Sequence, residues 1–63
     1  MLHNSEIRTI AELWIERYES DALIEARRRL EELKQHGEDE AYTLWLEIYS
    51  ETENLVNAKR LKH

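Results

Sequence analysis

Three histidines, His3, His36 and His63, are the side chains of this chain best suited to proton transfer or metal binding, and none has an evident partner. Each lies near the end of a segment, so spacing alone does not cluster them. Glu32 and His36 would stand one turn apart on a helix, but two ligands do not define a zinc site. There is no cysteine, which excludes thiolate metal sites and disulfides. Phosphate-cradling glycine loops are absent. The serines and histidines carry no nucleophile signature. We therefore expect a protein that is not an enzyme, with no catalytic residues, no metal and no cofactor.

The charged residues offer a different chemistry. Arg27, Arg28 and Arg29 resemble a basic patch, but consecutive helical residues fan about 100° apart and share no flat surface. Glu25 precedes Arg29 by four, and Glu31 and Glu32 follow Arg27 and Arg28 by four. A solvated ladder of ion pairs is expected, each contributing a few tenths of a kcal/mol. Glu12, Glu16 and Glu19 fall on one helical face, and Glu47 and Glu51 on another. Were the two faces aligned, they could imitate a row of phosphates and occupy a basic groove on a target. Net charge is −5, which argues against direct nucleic-acid binding.

Helices must position these groups. Charged residues make up 37% of the chain and hydrophobic ones 41%, with no proline and one glycine, which fits amphipathic helices and leaves no turn signals for a sheet. The apolar spacing predicts helices over about 6–18, 21–35 and 39–60. The first has Ile7, Ile10, Ala11, Trp14, Ile15 and Tyr18 on one face. Asn4 or Ser5 can cap it, and Thr9 to Glu12 reads as a second capping box. The second carries Ala22, Leu23, Ala26, Leu30 and Leu33 behind a cap at Ser20 or Asp21. Gly37, the sole glycine, stands where a helix ends in positive φ.

The third helix would be about 30 Å long and would overhang the second. Residues 13–18, LWIERY, echo residues 44–49, LWLEIY, which raises the option of a break near Ser50. No glycine or proline stands there, so an unbroken helix is predicted. The fold expected is all-α, an antiparallel three-helix bundle with a long third helix, forming a single domain over 1–63.

A chain of 63 residues buries only about 60% of its unfolded surface and has no covalent staple. Association is the remaining way to cover apolar area. The third helix has more apolar residues than one neighbour needs: Ala41, Leu44, Trp45, Ile48, Thr52 and Leu55 form one face, with Tyr42, Leu46 and Tyr49 beside it. Leu13 and Ile24 lie off their own stripes, and Val56 and Leu61 sit on the overhang. These seven, Leu13, Ile24, Tyr42, Leu46, Tyr49, Val56 and Leu61, are the candidate interface. No apolar run approaches the roughly 20 residues needed to span a membrane, and no secretory signal is visible, so a cytoplasmic setting is expected.

The residues Trp14, Arg17-Tyr18, Ala22, Glu25-Ala26, Arg29, Glu32-Leu33, Gly37-Glu38, Trp45 and Ile48 resemble a family of short, uncharacterised bacterial helical proteins. The resemblance implies a helical fold and a bacterial or phage origin, and no activity. The function expected is a small protein–protein interaction module, a self-associating homodimeric regulator or adaptor. The alternative is an acidic inhibitor that mimics nucleic acid and blocks a nucleic-acid-binding protein.

Overall fold

A computed structural model describes residues 3–61, with side chains described through residue 58. The chain is all-α. Helix α1 covers Asn4–Tyr18, a single 3-10 turn covers Glu19–Asp21, α2 covers Ala22–Gln35 and α3 covers Asp39–Leu61. Helix passes into helix without a coil residue from Asn4 to Gln35. The architecture is therefore two helical runs, the first sharply bent, and not the bundle of three separate helices expected from the sequence. The reason is local: Glu19 to Asp21 contain no glycine or proline, so the chain keeps a tightened helical turn through the joint.

The bend is concentrated at Glu19, whose φ of 51° and ψ of −119° are those of the first central residue of a type II′ turn. Glycine dominates that position, because a Cβ there crowds the backbone. Glutamate in this region costs on the order of 1–3 kcal/mol. Trp14 offsets part of that cost. Its Nε1–H donates across the bend to the carbonyl of Ala22 at 2.9 Å.

The start of α1 differs from the expected cap. His3 is the N-cap, and its backbone N–H donates to the Glu6 carboxylate at 3.3 Å. The Thr9 hydroxyl donates to the Ser5 carbonyl at 2.9 Å and so lies inside the helix. Asp21 occupies the N-cap of α2 but makes no side-chain capping bond, because α2 continues directly from the 3-10 turn.

The α2–α3 turn follows the reading of Gly37. The Glu38 N–H donates to the Leu33 carbonyl at 3.0 Å and the Gly37 N–H to that of Lys34 at 3.2 Å. These two bonds are a Schellman motif, which needs a left-handed residue at Gly37, and its φ is +69°. A side chain at Gly37 would meet nothing within 4 Å, so a substitution there meets backbone strain alone. Gly37→Val is expected to lower stability by about 1 kcal/mol or more. A urea midpoint equal to that of the parent chain would show that the turn is not held by this φ.

Helix α3 is unbroken through Ser50 and packs along both α1 and α2, which touch each other far less. It is the central element. At 23 residues it is about 34 Å long, against about 21 Å for the 14 of α2. The buried residues are Ile7, Ala11, Ala22, Ala26, Leu30, Ile48 and Thr52. Alanines thus hold the middle of α1 and α2, which lets their backbones come close to α3. Thr52 is fully buried without cost to its hydroxyl, which donates to the Ile48 carbonyl at 2.7 Å. Trp14 and Trp45 flank this centre in half-buried positions, edge to face at 4.8 Å between ring centroids. Tyr18 stacks beside Trp14 at 4.4 Å.

Candidate functional site

The residues exposed around this core divide between two sides of α3. On the first side, Tyr42, Leu46, Tyr49, Glu53 and Val56 recur at spacings of four and three and so lie along one face of the helix. Leu46 is 43% exposed, and Tyr42, Tyr49 and Val56 are half-buried. Helix α2 runs beside this face. The Arg27 guanidinium donates to the Tyr49 hydroxyl at 3.5 Å, a long and weak bond. Ile24 lies one turn before Arg27 on the same side of α2 and is 61% exposed. Tyr42, Leu46 and Tyr49 thus share one face of α3, and Ile24 stands on the adjoining side of α2, one turn from Arg27.

Leu13 belongs to the other side. It is 60% exposed and lines a groove of about 830 Å³ with Thr9, Glu12, Ile15, Glu16, Glu19, Leu55 and Ala58. Leu46 and Leu55 are nine residues apart, about 180° round the helix, so this groove faces away from Leu46. The seven candidate interface residues therefore do not form one patch. The reason is that α1 turns at Glu19 and covers the face of α3 opposite the tyrosines. The backbone of Leu61 closes α3, but its side chain lies outside the described residues.

The five candidate acidic residues are also divided. Glu12, Glu16 and Glu19 rim the groove beside Leu13. Glu47 and Glu51 line a second depression with Asn4, Ser5, Ile7, Arg8 and Ser50. Arg8 lies between the two sets and pairs with Glu12 at 3.7 Å, an exposed contact of little stabilising value.

The arginine run is not the ladder read from the sequence. The pairs present are Glu25–Arg28 at 4.0 Å and Arg29–Glu32 at 3.9 Å, both three residues apart. Arg27 and Arg29 also reach α3. Arg27 meets Tyr49, and the Arg29 guanidinium lies 5.6 Å from the centroid of the Trp45 ring. Such a cation–π contact contributes about 0.5–1 kcal/mol where exposed. The signal for these contacts is the side-by-side packing of α2 and α3, which helical spacing within one segment does not contain.

Among the described residues no three His, Asp or Glu side chains gather as metal ligands. No described helix is long and apolar enough to cross a membrane. No family model, curated protein or solved structure matches the chain.

Proposed function

We infer that this protein acts by binding rather than by catalysis, as a small interaction module that pairs with a second copy of itself. The observation that carries this reading is the face of α3 that holds Leu46 and Tyr49, with Ile24 on the adjoining side of α2. Two large aliphatic side chains stand open there, next to tyrosines that bring contact area at low entropy cost. Among the large apolar side chains described, only Ile7, Leu30 and Ile48 are buried.

A second copy suits this face because it is self-complementary. A twofold axis places the same patch against itself. Leu46 then meets apolar side chains, and Arg27 at one edge can face Glu53 of the opposing copy at the other. Nucleic-acid mimicry is the weaker reading. It needs one carboxylate row, and the five candidates lie in two separate depressions.

Leu46→Glu places a charge in the seam, while Leu13→Glu places one on the opposite side of α3. Sedimentation equilibrium and circular dichroism across concentration test the reading. Kept folded throughout, the parent chain and Leu13→Glu are expected to dimerise at high micromolar concentration, and Leu46→Glu, never exposed to denaturant, to remain monomeric with equal helicity. A monomeric parent chain at those concentrations overturns it.

A further inference from the structure

We propose that α1 is an exchangeable arm, which straightens at Glu19 and takes the same place on α3 of a second copy. The bend is the only interruption of helical geometry between Asn4 and Gln35, and its cause is one residue in a glycine conformation. A strained short hinge between packed elements is the feature that favours exchange of arms between protomers. The sequence through the joint is already helical in pattern. Tyr18 and Ala22 keep a helical step of four, and in a straight run the stripe of Ala22, Ala26, Leu30 and Leu33 is rotated by roughly 85° from that of Ile7, Ala11, Trp14 and Tyr18, so the two stripes can face different neighbours.

The packing permits the exchange. α1 lies mainly on α3 and only slightly on α2, so its principal contacts can be remade on the partner's α3. The Trp14–Trp45 contact passes from within one chain to between two chains unchanged. The Trp14–Tyr18 stack lies within α1 and travels with it. Straightening loses one hydrogen bond, from Trp14 Nε1 to the Ala22 carbonyl, and that carbonyl keeps its helical partner. The straight run would be about 48 Å long, longer than the 41 Å extent of the bent chain. This arrangement is independent of the Leu46 face, and the two are tested apart.

The experiment uses the full chain carrying Leu46→Glu, which removes the face-to-face dimer. It is unfolded in urea, refolded at high concentration and followed by sedimentation velocity. Nitroxides at Arg8→Cys and Arg28→Cys, diluted into unlabelled chain, report the distance within one chain by pulsed electron resonance. A slowly exchanging dimer is expected, in which this distance lengthens to about 30 Å, the straight-helix value for twenty residues. Glu19→Ala should raise its association constant, since alanine favours the straight helix. Glu19→Gly should lower it by at least about 10-fold, because it relieves the bend in both monomers and weakens the straight helix. Equal association constants for the alanine and glycine variants overturn the proposal. So does a dimer whose distance equals that of the dilute monomer, or a Glu19→Ala chain that stays monomeric throughout.

Discussion

Trp14→Ala is expected to leave about half of the molecules unfolded at 25 °C. Trp14 is only half-buried, yet it joins three parts of the molecule. Its ring packs edge to face on Trp45 of α3 and against Tyr18 one turn along α1, and its Nε1–H ties α1 to the first residue of α2. Truncating a tryptophan in such a setting costs about 3–5 kcal/mol. A single core of this size supplies roughly the same amount in total. The two figures being equal, the folded population falls to about half. Trp14→Phe separates the contributions. It keeps an aromatic ring against Trp45 and loses the bond across the bend, for about 1 kcal/mol. Urea titration by circular dichroism distinguishes them. A cooperative transition of Trp14→Ala near the parent midpoint would show that the joint is held elsewhere.

The second large effect comes from a residue with almost no side chain. Ala26→Leu is expected to destabilise by about 1–3 kcal/mol or more. Ala26 is 0% exposed, and Ala22 and Ala11 are the same to within 1%. Small residues at these positions set how closely α1 and α2 approach α3. A leucine at Ala26 has no space to enter, so α2 must move outward. That movement carries Arg27 and Arg29 away from Tyr49 and Trp45. Ala58→Leu is the control, because Ala58 is exposed and gains helix-compatible bulk at little cost. An Ala26→Leu midpoint equal to that of Ala58→Leu would mean that the helices are not in close contact at Ala26.

Both effects bear on how the core was read from the sequence. The stripes predicted for each helix contain every buried residue, including Thr52 on the apolar face of α3. Their centres lie elsewhere than residue size suggests. Trp14 and Trp45 occupy the middle of their stripes by volume, yet both remain half-open, and the closest packing falls on alanines. Spacing reports which face is apolar. It does not report interhelical distance, which small residues reduce and large ones increase.

The candidate surfaces show the same division. That Leu13, Ile24 and Leu46 lie off the stripes is a property of helical period, and all three are exposed. Their grouping is not such a property. Leu13 and Leu46 fall on opposite sides of α3, while Ile24 joins Tyr49 through Arg27, because packing of α2 beside α3 brings together residues 22 positions apart. The ion pairs changed for the same reason, as Arg27 and Arg29 found aromatic partners across the helix interface.

The sequence by itself determined the helical class, the turn at Gly37 and the continuity of α3 through Ser50. Each of these depends on contacts within about four residues or on the φ of one residue, so local spacing and residue type are sufficient. An interruption between Tyr18 and Asp21 was legible in the apolar spacing and in the cap residues Ser20 and Asp21, but its form was decided by tertiary structure, since nothing local calls for a glycine conformation at Glu19. The turn lays α1 along α3 of the same chain, and that packing offsets a strain on the order of 1–3 kcal/mol. The same turn divides the exposed residues between two faces, and so decides which of them can act together.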